Sequence, residues 1–203
     1  MKKIMFDDKY GLERAVLNET KTCTRRLVPE KYRKNKTPDV LDNLQMLIKH
    51  ARYHVNETVA IAQPYSTVYD SIKNSSLPDR NKDLLAKYEQ LRSDEGWLNK
   101  MYVKAEYMLH IIRITNIRVE HLRDITYDDC FREGVYRDDL NGKKIGPFNY
   151  CFTCDGLYSK RNKQKLYSCH PKVIFAELIN RLSHRDIWNE NPLVFVYNFK
   201  LIV

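Results

Sequence analysis

The sequence predicts a mixed α+β protein, a β-barrel with short helices at its periphery. Short segments rich in β-branched residues alternate with short segments of helical periodicity. The final segment, 193–203, has the composition of a strong strand that must pair with residues distant in sequence. Hydrophobic residues make up 43% and charged residues 30% of the 203 residues, so a sizeable core is expected.

The first half of the chain predicts a helix, a strand and a helical insertion. Apolar residues within 8–19 can line one side of a short helix. The segment 57–63 is short, β-branched and bounded by turn-forming residues, which is typical of a strand. Residues 65–100 form an insertion in which 79–95 has helical spacing among charged residues.

The second half begins with two expected strands. These are 101–107 and 109–119. In the second, the side chains alternate in character along the segment, as in a strand of a sheet with one solvated face. Thr126 then has the position of an N-cap, and the helix that it begins is expected to stop at Gly134.

A second insertion, 135–170, is polar and predicts no regular element. Pro171 suits the first turn of a helix that runs to about Leu182, and the chain closes with the strand at 193–203.

The charge of the chain indicates an anionic partner. Lysine and arginine number 35 against 26 acidic residues, a formal net charge of +9, and such a field attracts nucleic acids and phosphorylated ligands. The apolar run Ile4–Phe6 is too short for a signal-peptide core, and the longest run, about 193–197, is far below a membrane span. Five cysteines do not suggest a disulfide framework. We therefore expect a cytoplasmic protein with reduced thiols and no membrane partner.

The densest polar cluster, 20–26, reads Thr-Lys-Thr-Cys-Thr-Arg-Arg. Lys21 and Thr24 are three residues apart, so in a helical turn they can share a face. A threonine hydroxyl needs a neighbouring base to act as a nucleophile, and a desolvated lysine is one such base. Arg25 or Arg26 could hold a phosphate or a developing negative charge. The alternative is a solvated basic turn without a function.

A carboxylate beside Lys21 would orient its amine or exchange a proton with it. The candidates are Glu106, in the strand expected at 101–107, and Glu133, at the end of the helix that Thr126 begins. The alternative for each is an ordinary surface residue.

Four residues have the composition of a zinc site, namely Cys151, Cys154, Cys169 and His170. The first two have the spacing of zinc ligands, but adjacent Cys169 and His170 do not, because neighbouring side chains point apart. The alternative is unpaired thiols, and we expect neither a metal nor an organic cofactor. No Gly-x-Gly-x-x-Gly, Walker loop or His-Glu-x-x-His occurs, which argues against dinucleotide-binding, P-loop and zincin classes.

The run at 20–26 resembles the ASCH domain, a PUA-like β-barrel family associated with RNA, whose hallmark is Gly-x-Lys-x-x-Glu-x-Arg after the first helix. Lys21 and Arg26 match the hallmark, the glycine is absent, and Thr24 replaces the glutamate. The replacement is similar to a branch of small bacterial ASCH proteins that hydrolyse N4-acetylcytidine and carry a Lys-x-x-Thr-x-Arg run. For that branch, a lysine, a threonine and a distant glutamate are the implied catalytic set.

The resemblance extends beyond this run. Residues 122–134 fit the Leu-x-x-Leu/Ile-x-x-x-x-(Ala/Cys)-x-x-Glu pattern of that branch, which nominates Glu133. Residues 188–199 resemble the closing strand of phage and gut-bacterial ASCH proteins, as do 104–107 and 114–118. The matched segments are distributed between residues 20 and 199.

The resemblance implies a single PUA-like domain over 1–203, with insertions at about 65–100 and 135–170. It implies that RNA or a modified nucleoside binds in a pocket lined by Lys21, Thr24, Arg26 and Glu133, with Arg25 as a further binding residue. The implied reaction is hydrolysis of the amide of N4-acetylcytidine. Two alternatives stay open: a non-catalytic RNA-binding module and a zinc-stabilised interaction protein.

Overall fold

The computed structural model describes residues 1–33, 46–74, 82–139, 151–159 and 163–202. Its strands and helices, in chain order, are β1 (Lys2–Ile4), α1 (Leu12–Leu17), β2 (Cys23–Leu27), α2 (Glu30–Arg33), β3 (Thr58–Ile61), α3 (Tyr65–Lys73), α4 (Lys82–Glu89), β4 (Ile111–His121), α5 (Tyr127–Arg132), β5 (Tyr136–Asp138), β6 (Cys151–Thr153), α6 (Pro171–Ser183), α7 (Ile187–Glu190) and β7 (Leu193–Leu201). The mixed α+β class is therefore confirmed.

The strands form two sheets. Five are hydrogen-bonded in the order β1-β3-β4-β7-β2, and β5 and β6 form a separate pair. No closed barrel is found among the described residues. In the same part of the chain, no helix is long and apolar enough to cross a membrane.

The chain divides into two compact units. The first unit comprises Met1–Phe6, Glu57–Arg113 and Leu201–Val203, and the second comprises Asp7–Asn56 and Ile114–Lys200.

The first unit contains the helical insertion that the sequence predicted. β1 pairs in parallel with β3, and β3 pairs antiparallel with the first residues of β4. Helices α3 and α4 share one apolar cluster, whose buried members are Ala60, Ala62, Tyr65, Val68, Ile72, Tyr88, Val103 and Met108. The two helices of the insertion, where the spacing predicted one, therefore share a core with β3 and with residues that follow the insertion.

In the second unit, β2 pairs antiparallel with β7. The N-cap at Thr126 is confirmed, because its side chain accepts a hydrogen bond from the backbone of Asp129 and α5 follows. Pro171 begins α6 as predicted, and this helix buries Ile174 and Leu178. Most local signals for helix starts thus describe this unit correctly.

Two segments differ from the prediction. Residues 101–107 are not a strand: Ala105–Tyr107 form a 3₁₀ turn, and the backbone nitrogen of Lys104 donates to the Tyr65 hydroxyl at 2.8 Å. The cluster at 20–26 is not a helical turn either, because Cys23–Leu27 form β2. β2 is extended because its backbone pairs with β7, which is distant in sequence, and Lys104 is held by the distant Tyr65 side chain, so a local pattern could not reveal either.

Candidate functional site

Lys21 and Glu133 form a buried ion pair in the second unit. The Lys21 Nζ lies 2.6 Å from Glu133 Oε2, and the two side chains are only 1% and 6% exposed. The same Nζ donates to the carbonyl oxygens of Cys23, at 2.8 Å, and Glu133, at 2.9 Å. Two of the predicted site residues, 112 positions apart, are therefore brought together.

Local signals position Glu133 at the end of α5. The helix begins at the N-cap Thr126 and ends with Glu133 as its C-cap. Gly134 follows with a φ of +106°, which glycine adopts readily and which turns the chain away from the helix. The end of this short helix thus fixes the carboxylate beside Lys21.

Arg25 lies among three carboxylates. Its guanidinium donates to Glu120 at 2.6 Å, to Asp129 at 2.7 Å and to Glu133 at 3.1 Å. Burial works to lower the pKa of Arg25, but the nearby charges of Glu133 and Glu120 outweigh it and raise the pKa above its ordinary value. The guanidinium is thus engaged by acidic side chains of the protein itself, whereas the sequence suggested that it could bind a phosphate.

Arg118 extends this network, since it donates to Glu120 at 2.8 Å and also to Asp129. Three cationic and three anionic side chains therefore meet, and their formal charges balance. We call this set the buried charge cluster; it consists of Lys21, Arg25, Asp129 and Glu133, which are buried, and of Arg118 and Glu120, which are partly exposed.

Sequence reasoning missed three members of the cluster. Arg118 and Glu120 are two residues apart in β4, so they lie on the same face of the strand. Asp129 lies in the first turn of α5, where an acid is common for helix stability alone. The other acid that the sequence offered, Glu106, is exposed in a turn of the first unit.

Thr24 and Arg26 lie on the other face of β2. Side chains alternate along a strand, so these two point away from Arg25 and the buried charge cluster. Thr24 is buried opposite Tyr197 in the pairing register, while Arg26 is exposed opposite Phe195. Lys21 still reaches the peptide between Cys23 and Thr24, through its bond to the Cys23 carbonyl.

A cavity of about 440 Å³, which we call the α1 cavity, is lined by Gly134, the residue after Glu133, but by neither Lys21 nor Glu133. A Cβ atom on its lining residue Gly134 would lie 3.9 Å from Lys21 Cδ, so the cavity approaches the lysine stem there. Its volume lies within the range typical of small-molecule sites. Three aromatic and several polar residues line it, among them Tyr10, Arg14, Asn18, Thr20, Phe131, Gly134, Tyr136 and Asp155.

Asp155 is the anionic group of this cavity. It accepts hydrogen bonds from Arg14 and, at 2.9 Å, from the Tyr136 hydroxyl, which itself accepts one from Lys165 at 2.6 Å. Burial works to raise the pKa of Asp155, but the hydrogen bonds from Tyr136 and Arg14 outweigh it and hold the pKa below its ordinary value. The carboxylate is thus an ionised acceptor near neutral pH.

The cysteines of the zinc hypothesis do not form a metal site among the described residues. No group of three histidine, cysteine or acidic side chains there could hold a metal ion. Cys151 and Cys154 are buried, whereas Cys169 and His170 are exposed. Burial raises the pKa of the Cys154 thiol to about 12, and this thiol donates to the carbonyl of Tyr10.

No protein-family model, curated protein or solved structure matches the chain. Its function is therefore inferred from three features: the buried charge cluster, the two faces of β2 on which Arg25 and Thr24 lie, and the α1 cavity.

Proposed function

We propose that the chain is a PUA-like protein of the ASCH type that recognises RNA or a modified nucleoside and hydrolyses the amide of N4-acetylcytidine. The observation that supports this best is the buried contact of Lys21 with Glu133 at 2.6 Å. The resemblance implied this lysine and this glutamate as partners, although 112 positions separate them.

The reaction proceeds through an acyl-enzyme. A proton passes from the Lys21 ammonium to Glu133. The Thr24 side chain, which lies on the opposite face of β2, must turn toward the neutral amine, which then accepts the proton of its hydroxyl. The Thr24 oxygen bonds to the acetyl carbon, the bond from that carbon to N4 breaks, and Glu133 returns its proton to the leaving amine. Water then cleaves the acetyl ester by the reverse sequence, which releases acetate and restores the threonine.

The α1 cavity is suited to the nucleoside. Tyr10, Phe131 and Tyr136 offer aromatic surface against which a base can stack, and the Asp155 carboxylate can accept a hydrogen bond from an amino group of the base. Gly134 lines this cavity, and a Cβ atom on it would lie 3.9 Å from the Cδ atom of the Lys21 stem.

A non-catalytic RNA-binding module is the second candidate. It is favoured by the hydrogen bonds that engage the Lys21 ammonium with the Cys23 carbonyl and with Glu133, and by the position of Thr24 on the opposite face of β2. In that case the buried charge cluster serves to fix β2, and recognition falls to exposed cations.

Replacing Thr24 with alanine should lower kcat/KM for N4-acetylcytidine about 100-fold, because the nucleophile is lost while its neighbours remain. Release of cytidine, followed by liquid chromatography, measures this. Thr24→Ser should retain most of the activity, since it keeps the hydroxyl, and Thr22→Ala provides a control in the same run.

Thermal unfolding of each variant establishes that it is folded. Unchanged turnover in Thr24→Ala would overturn the assignment of the nucleophile. RNA binding by a parent protein that releases no cytidine would favour the non-catalytic module.

A further inference from the structure

A second cavity in the same unit, of about 760 Å³, has two walls of different charge character, and we call it the lysine groove. One wall comes from Lys9, Tyr10, Gly156, Tyr158, Ser159 and Lys163, and the other from the second half of α6 and the turn that follows it. The first wall carries Lys9 and Lys163, whereas the second carries both cations and acids.

The cations of the second wall are already engaged. Arg181 donates to Glu177 at 2.7 Å and to the Tyr158 carbonyl at 2.7 Å. Arg185 lies 3.5 Å from Glu190. The carbonyl end of α6 also carries a partial negative charge, which weakens the attraction of this wall for phosphate.

The lysines of the first wall have no such partner. Lys9 and Lys163 are both exposed, and neither forms an ion pair with a carboxylate in the described part of the chain. Tyr158, which also lines the groove, is 48% exposed. Unpaired cations beside an exposed aromatic ring are the features that hold a single-stranded nucleic acid.

The groove adjoins the α1 cavity. Tyr10 lines both, and the consecutive residues Asp155 and Gly156 line one each. If one base of a nucleic acid strand lay in the α1 cavity, the strand next to that base would therefore run along Lys9 and Lys163.

We infer that the natural substrate is a nucleoside within a single RNA strand, whose flanking phosphates lie along Lys9 and Lys163. This inference rests on the proposed function, because it extends the same nucleoside site. The strand stacks one neighbouring base on Tyr158, and its phosphates pair with the two ammonium groups and release their own counterions.

Binding of a fluorescently labelled single-stranded RNA of mixed sequence tests the inference. Each phosphate contact to a single strand contributes about 0.7 to the slope of log affinity against log salt. The double variant Lys9→Ala/Lys163→Ala should therefore lose about 1.4 from the slope and bind roughly tenfold more weakly at low salt. The matched control is Lys73→Ala/Lys87→Ala, which removes the same charge from exposed positions of α3 and α4.

Equal losses in the two double variants would overturn the inference, since they would show a general effect of net charge. Failure of the parent protein to bind RNA while it hydrolyses free N4-acetylcytidine would overturn the inference and leave the proposed function standing. RNA binding with the expected slope loss, without turnover of the nucleoside, would support the groove and reject the reaction.

Discussion

Replacing Arg25 with methionine should destabilise the protein by about 3–5 kcal/mol, the cost of removing one partner from a buried ion pair. Methionine keeps much of the volume of arginine but leaves Glu120, Asp129 and Glu133 without the cation that they share. Urea unfolding, followed by circular dichroism, measures the change in the free energy of unfolding. Arg113→Met is the matched control, because Arg113 is exposed on β4.

The variant buries an excess of negative charge, because the three carboxylates lose the cation that lies between them. Equal stability of Arg25→Met and Arg113→Met would show that the cluster contributes little to the fold.

The sequence predicted best the elements whose start is decided locally. The Thr126 cap and Pro171 at the first turn of α6 each satisfy or remove a backbone donor within one turn, and both appear where expected. The helical spacing of Tyr65, Val68 and Ile72 also indicates α3. The prediction placed only one helix in the insertion and missed this one.

Elements that depend on distant partners were harder to predict. β2 looks like a basic turn in sequence, and its extended form comes from the pairing of Cys23–Leu27 with β7. The β5 and β6 pair lies in the segment to which no element was assigned, because each strand has only three residues and little periodicity.

The candidate site was predictable only in part. Lys21 and Glu133 were found through a resemblance that spans two separate motifs, and the structure brings them together. Glu120 and Asp129 carried no such signal, because single acids in a strand or a first helical turn are usually surface residues. Their role follows from Arg25, which only the folded chain places between them.

Replacing Gly156 with alanine should lower the stability by about 3 kcal/mol or more. A Cβ there would lie 1.8 Å from the carbonyl oxygen of Lys9 and 3.2 Å from Tyr10 Cα, and no side-chain rotation can move these backbone atoms. The φ of +66° adds about 1–2 kcal/mol for a residue with a Cβ. For a chain of this size, the melting temperature should fall by roughly 6–12 °C, as measured by calorimetry.

Glu19→Ala separates the two contributions to this loss. Glu19 already adopts a φ of +59° with a side chain. Alanine at this position therefore measures the effect of a left-handed backbone without a steric overlap of Cβ, and should change the free energy of unfolding by about 0.5 kcal/mol or less. Because Gly156 lies where the lysine groove adjoins the α1 cavity, Gly156→Ala should also weaken RNA binding in protein that remains folded. A Gly156→Ala variant as stable as Glu19→Ala would mean that residues 9–10 and 156 do not approach closely in solution, and the shared wall of the two cavities would then be lost.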